Sequence, residues 1–311
     1  MDAAVSLREL TRDFGELRAV DRLTWDVARG ELFGIVGPDG AGKTTTLRML
    51  AGVLRPTSGD ATVSGLSIAH EPEAVKHQIA YMSQRFGLYT DLTVRENIDF
   101  YADLYRVPRK ERSRRIERLY QFSGLGPFEN RLAGQLSGGM KQKLGLCAAL
   151  IHEPAILLLD EPTFGVDPIS RRDLWLIVHE MVARGVTVLV STAYMDEAER
   201  CDRVAFLHNG QNVLIDTPDR LQARLRGHVL AIRTAAPRRG REWLRDHPLV
   251  RQAVLFGDTI HITLREGVGS WPSVRAELES AGIGVSWASP VEPSLEDVFI
   301  DVVQSAEADD G

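Results

Sequence analysis

Two cysteines among 311 residues are too few for a disulfide framework. Cys147 and Cys201 lie far apart in helix-like segments, so they read as reduced packing thiols and set the expectation of a cytosolic protein. No apolar run approaches the roughly 18–20 residues needed to cross a bilayer, and the N-terminus lacks a signal-peptide pattern. Any membrane work would then fall to a partner subunit. A basic excess is missing too: 37 Lys and Arg against 43 Asp and Glu leave a formal charge of −6. Global electrostatics therefore do not favour nucleic acid, and no nucleic-acid partner is expected. The basic run Arg106–Arg118 alternates with Glu111 and Glu117, as on the wet face of a helix. What the chain does have is a hydrophobic content of 44%, enough for two domains, one large and one small.

The most informative stretch is Gly37-Pro38-Asp39-Gly40-Ala41-Gly42-Lys43-Thr44. It follows an apolar strand, Leu32–Val36, and opens a helix-like run from Thr45 to Leu50. That strand–loop–helix context is what a phosphate-binding P-loop requires. The glycines let consecutive backbone N–H groups turn inward around a polyphosphate, and the helix adds its positive N-terminal end. Lys43 would reach the β- and γ-phosphates, and the Thr44 hydroxyl would ligate magnesium. The chain is therefore expected to bind a nucleoside triphosphate, with Thr45 at the edge of the same cradle.

A second element, Ile156–Pro162, places four apolar residues before two carboxylates. The apolar run suits a strand buried on both faces. Adjacent strand residues point to opposite sides, so Asp160 and Glu161 are expected to do different work. Asp160 would hold the hydrated magnesium and Glu161 would polarise the attacking water.

Strand and helix signals alternate up to about Thr217, as in a sheet flanked by helices. Asp167 caps a predicted helix that Pro168 opens and Gly185 ends, with Leu174, Ile177, Val178, Met181 and Val182 on one face. Thr93 and Glu96 form a capping-box pattern. Residues from about 85 to 151 read as mostly helical, a lobe beside the sheet.

The third element is Leu136-Ser137-Gly138-Gly139-Met140-Lys141-Gln142, running into a helix. Ser137 with the two glycines makes a second anion-binding helix start. One triphosphate does not need two cradles from one chain, which points to two subunits facing each other with ATP between them. These motifs, in this order over roughly residues 5–217, resemble the ATP-binding subunits of ABC transporters, and the Ser137 stretch resembles that family's signature loop. The resemblance implies an α/β fold: a P-loop NTPase core of the ABC ATPase kind with a helical lobe. It also implies ATP and Mg2+ as ligands, with ATPase activity.

By the same resemblance, Phe14 matches the aromatic that stacks on adenine, its alternative being an ordinary core residue. Gln84 resembles the glutamine that touches magnesium and senses the membrane subunit. Asp167 resembles the acid of the D-loop, a role that can coexist with helix capping. One family position is missing. The family commonly reads Ser-Thr-His, whereas here Ser191-Thr192 is followed by Ala193. A methyl group neither donates to a phosphate nor positions a water. Binding should survive this loss and turnover should fall, such groups being worth roughly 10²–10⁴-fold.

The wording around Gly37, Phe86–Tyr89 and Asp167–Arg172 resembles the first ATPase half of YbhF-type bacterial multidrug exporters, which also lacks that histidine. Ala193 is then natural; a designed His→Ala substitution would leave the same letter. The resemblance implies a membrane-spanning permease partner and a second, histidine-bearing ATP-binding subunit, with a homodimer as the alternative. It implies a peripheral position on the cytoplasmic face of the inner membrane. A regulatory nucleotide-binding module and a soluble, non-transport ABC ATPase are the rival readings.

After residue 217 the pattern changes. Residues 218–226 are expected to form a connecting helix, and residues 227–304 a small α+β accessory domain. Within it Leu230/Ile232 and Ile260/Ile262/Leu264 alternate as strands, and Phe256–Thr259 turns a hairpin. The acidic tail, residues 305–311, is expected to be disordered.

Overall fold

The computed structural model describes residues 3–84, 87–225, 229–265 and 270–309. Arg85 and Phe86 at the expected start of the helical lobe, Arg226 and Gly227 at the expected domain junction, and Asp310 and Gly311 in the tail lie outside the described residues. The chain divides into two compact units, up to Ile215 and from Asp216 onward.

In the first unit β1 (Ala3–Phe14) and β2 (Leu17–Ala28) pair antiparallel. Next, β3 (Leu32–Val36) leads through the glycine loop into α1 (Lys43–Leu50). β4 (Ser58–Val63) and β5 (Leu66–Ser67) complete an antiparallel sheet in the order β2-β1-β4-β5. This sheet departs from the uniform strand–helix alternation read in the sequence. Register shifts between Leu7 and Leu10 and between Leu10 and Arg12, with Glu9 and Arg22 at positive φ, interrupt the two-residue period that betrays a strand.

Further along come α2 (Pro72–Gln78), β6 (Ile79–Met82) and the helices α3 (Val94–Leu104), α4 (Arg109–Ser123) and α5 (Gly138–Leu150). The reciprocal Thr93–Glu96 capping box starts α3. Then β7 (Ile156–Asp160), α6 (Pro168–Ala183), β8 (Thr187–Thr192), α7 (Met195–Ala198), β9 (Arg203–His208) and β10 (Gln211–Asp216) finish the unit. The second sheet runs β10-β9-β3-β8-β7-β6, with β9, β3, β8, β7 and β6 parallel. Every residue of β3, β7 and β8 is buried, as continuous apolar runs require. Leu47, Met49 and Leu50 of α1 join Phe33, Ile35, Leu158 and Leu189 in one core, fixing the glycine loop to the sheet.

The second unit opens with α8 (Pro218–Ala223), capped by Thr217. It continues through β11 (Val229–Thr234), α9 (Pro237–Arg245), β12 (Val250–Phe256), β13 (Thr259–Leu264), α10 (Trp271–Ser280), β14 (Val285–Pro290) and α11 (Leu295–Asp309). The sheet is antiparallel in the order β12-β13-β11-β14. Its core gathers Ile232, Leu244, Ile260, Ile262, Val274 and Leu278. α8 packs against α11, so it belongs to this unit and is more than a connection. α11 also corrects the expected tail: its backbone stays helical through Asp309. Ser305-Ala306-Glu307-Ala308 carries no glycine or proline to end a helix, and alanine and glutamate favour one.

Candidate nucleotide site

Parallel strands β3, β6, β7 and β8 end at the same edge of the sheet, and most of the candidate residues follow from their ends. Gly37 follows β3; a Cβ at this position would lie 2.2 Å from the Leu207 carbonyl oxygen. Gly42, at φ 99°, would bring a Cβ to 2.5 Å from the Ala19 carbonyl oxygen. Both positions thus require glycine, for different reasons. The Lys43 side chain is 4% exposed. Its ammonium donates to the carbonyls of Gly37 at 2.8 Å and Pro38 at 3.0 Å and pairs with Glu161 Oε1 at 3.2 Å.

Asp160 ends β7 and is fully buried. Its Oδ1 accepts from Thr44 Oγ1 at 2.9 Å and Ser191 Oγ at 2.8 Å, and its Oδ2 accepts from the Tyr81 hydroxyl at 3.2 Å. Burial, and then the adjacent Asp160 carboxylate, push the Tyr81 phenol up to about 12. Glu161 does not simply continue the strand to the opposite face. At φ 48° it turns the chain, while its N–H donates to the Ser191 carbonyl at 3.1 Å and hydroxyl at 3.0 Å. Its carboxylate accepts from Gln84 Nε2 at 2.9 Å. The two acids therefore reach the same loop through different residues, Thr44 for one and Lys43 for the other.

The cleft in front of Lys43 has a volume of about 490 Å3, within the range of small-molecule sites. Phe14, Asp39, Gly40, Ala41, Gly42, Thr44, Thr45, Gln84 and Glu161 line it. Phe14 is 45% exposed, which excludes a core role, and the Arg12 guanidinium lies 4.5 Å from its ring centroid. Leu17 and Phe164, exposed apolar side chains that the sequence reading passed over, also line the cleft.

Ser137, Gly138, Gly139 and Asp167 do not line that cleft. Ser137 caps α5 by accepting from the Met140 N–H at 3.3 Å. Gly139 packs on Ser170 so closely that a Cβ would lie 2.2 Å from its hydroxyl oxygen. Asp167 caps α6, and its bonds to the backbone N–H and side chain of Ser170 hold its carboxyl below the usual range. Ala193 lines a pocket of about 150 Å3 with Asp39, Glu161, Thr163, Phe164, Thr192 and Tyr194. Beside it Glu197, fully buried and missed in the sequence reading, accepts from Thr163 Oγ1 at 2.6 Å and Thr192 Oγ1 at 2.7 Å. This carboxylate ties the segment after Glu161 to the segment carrying Ala193.

Magnesium fits the donor set. The Thr44 hydroxyl and Asp160 carboxylate are hard oxygens 2.9 Å apart beside a phosphate-type cradle. Mg2+ keeps most of its waters and takes few protein ligands there. A separate cavity of about 340 Å3 between α4 and α6 contains none of these residues. Its Arg115, Arg118 and Arg184 are already paired with Glu111, Glu153 and Glu180.

Fold and site together define a P-loop nucleotide-binding cassette. The comparisons name it more closely. The ABC transporter family model matches residues 20–164, and that of the DrrA1-3-like ATP-binding protein C-terminal domain matches residues 217–303. The probable multidrug ABC transporter ATP-binding protein YbhF of Escherichia coli is 41% identical over 98% of this chain, which spans only 53% of that protein. The daunorubicin resistance ATP-binding protein DrrA2 of Streptomyces coeruleorubidus is 35% identical, over 96% of this chain and 94% of its own length. A solved ATP-binding subunit of an ABC transporter superposes with a TM-score of 0.66 at 30% identity, covering 71% of this chain and 93% of that one. The cassette MJ0796, solved as a dimer in a post-hydrolysis state with ADP and Pi, gives 0.63 at 26% identity, covering 68% and 98%. The chain belongs to the ABC transporter ATP-binding proteins.

Proposed function

We propose that this chain is the ATP-binding subunit of an ABC exporter, coupling MgATP binding and hydrolysis to efflux through a separate membrane subunit. The observation that carries the reading is the convergence of Lys43, Thr44, Glu161 and Gln84 on one cleft, with the buried Asp160 bonded to Thr44 behind it. The family match and the drug- and Nod-factor-export names of several relatives support the export assignment. Among the described residues no helix is long and apolar enough to cross a membrane, so the translocation path is assigned to the partner.

In this reading an incoming phosphate competes with Glu161 for the Lys43 ammonium. Release from Lys43 leaves Glu161 free to orient the attacking water and accept its proton. Phe14 stacks on the adenine face. Thr44, Asp160 and Gln84 would hold magnesium, which would supply positive charge to offset that of the phosphates. Ser137, Gly138 and Gly139, none of which lines this chain's own cleft, face a partner's ATP. Ala193 leaves its own site without the phosphate-contacting histidine, so turnover there is slow. The subunit therefore pairs with a different, histidine-bearing one, as in the first half of a two-ATPase exporter, at the cytoplasmic face of the inner membrane.

The test is ATP binding and turnover by the isolated chain. Micromolar MgATP affinity with weak hydrolysis is expected. Tens of turnovers per second from the isolated chain would remove the argument from Ala193. Binding without any hydrolysis, alone or with a partner, would favour the regulatory module that Ala193 also allows.

A further inference from the structure

We infer that Tyr81 is a positioning residue for the Asp160 carboxylate, fixing the orientation in which it meets magnesium. The inference rests on the reading above that Asp160 holds the metal.

The argument starts from strand order. β7 lies between β8 and β6, and Asp160 stands at its end. Ser191 is its register partner on β8 and donates to Oδ1 at 2.8 Å. On the other side Tyr81 of β6 is in register with Leu158, two residues short of Asp160. Two residues along a parallel strand span about 6.6 Å, close to the reach of a tyrosine from Cα to hydroxyl. The phenol bridges that gap and donates to Oδ2 at 3.2 Å.

These bonds differ in how they survive loading of the site. Thr44 Oγ1 also bonds Asp160, at 2.9 Å, but in that reading this hydroxyl would itself be a metal ligand and would give up the bond. Ser191 and Tyr81 remain, one hydroxyl on each carboxylate oxygen, from the strands on either side. Three residues past Tyr81, Gln84 donates to Glu161 at 2.9 Å. One strand and its extension thus hold both the metal-side and the water-side carboxylate.

Outer hydrogen-bond partners of metal ligands are worth roughly 10- to 100-fold in metal affinity. The experiment titrates magnesium against binding of a fluorescent ATP analogue to the full chain, without relying on turnover. Tyr81→Phe keeps the ring and removes the hydroxyl. Its magnesium midpoint should rise roughly tenfold, with metal-free nucleotide affinity unchanged. Asp160→Asn run in parallel should shift the midpoint further. A parental midpoint in Tyr81→Phe beside a shifted one in Asp160→Asn overturns the role of Tyr81. A parental midpoint in Asp160→Asn overturns the metal assignment itself. If Tyr81→Phe does not fold, Tyr81→Leu, which keeps an apolar side chain without the hydroxyl, replaces it. That variant must raise the midpoint severalfold, and a parental value there also overturns the inference.

Discussion

In the proposed function binding turns on Lys43, whose buried ammonium sits among two carbonyls and a carboxylate. Removing it deletes a charge-assisted phosphate contact and leaves Glu161 without its cation. A hydrogen bond to a charged group is worth about 1.5–3 kcal/mol, so Lys43→Ala should weaken MgATP binding by one to two orders of magnitude or more in calorimetry. Glu161→Gln should keep that affinity and suppress hydrolysis, since an amide still accepts from Gln84 but cannot take the proton of water. If the glutamine variant hydrolyses ATP at the parental rate, Glu161 is not the water-activating group. The cysteines give a third residue-level test. Burial pushes the Cys147 thiol up to about 12 and raises that of Cys201 as well, so neither offers a thiolate at neutral pH. A thiol reagent should label neither until the protein unfolds. Labelling of the native protein at neutral pH would contradict that burial.

At the scale of elements, two helix starts carry sequence signals that the structure realises. The Thr93 side chain accepts from the Glu96 N–H and Glu96 from the Thr93 N–H, closing the box read in the sequence. Thr93→Ala should cost about 1 kcal/mol, seen as a melting-temperature drop of about 2–4 °C for a unit of this size. Asp167 caps α6 through the Ser170 N–H, and its carboxyl lies below the ordinary 3.8. A depressed carboxyl contributes stability that is complete above its unfolded value and lost as pH falls through its folded value. Asp167→Ser, whose hydroxyl caps without titrating, should flatten acid destabilisation below about pH 4. An unchanged acid slope would mean that the cap has no pH-dependent part. Such starts are legible because helix caps and glycine loops are local patterns. So are the strand-end acids, written in consecutive letters after an apolar run. Tyr81 and Ser191 were not legible as partners of Asp160, because they stand 79 and 31 residues from it. Only the strand order β8-β7-β6 unites them. Glu197 escaped notice for the same reason, and the antiparallel sheet because bulges break the alternation of β1.

At the scale of the whole molecule, the question is what a cassette with Ala193 can do opposite another cassette. The Ser137 loop caps its own helix and does not line the cleft, so in the proposed face-to-face pair it would complete the other subunit's site. Two copies of this chain would place an alanine at both sites, and neither would have the histidine. In the proposed pairing with a histidine-bearing subunit, one site would be competent and would be completed by Ser137, Gly138 and Gly139 of this chain. The other would bind ATP at Lys43, turn over slowly and steady the pair. The two sites answer to different substitutions. Ser137→Arg puts a bulky cation where the partner's ATP must fit, and should depress most of the turnover of the reconstituted membrane complex. Ala193→His fills the pocket beside Asp39 and Glu161 and should mainly raise turnover at this chain's own site, by up to roughly 10²-fold. The measurement is ATPase activity of the reconstituted complex with each variant, resolved by inactivating one P-loop lysine at a time. A fully active complex in which this chain supplies both cassettes would end the asymmetric model. It would do so without touching the family assignment, because a homodimer uses the same loops and carboxylates in the same places.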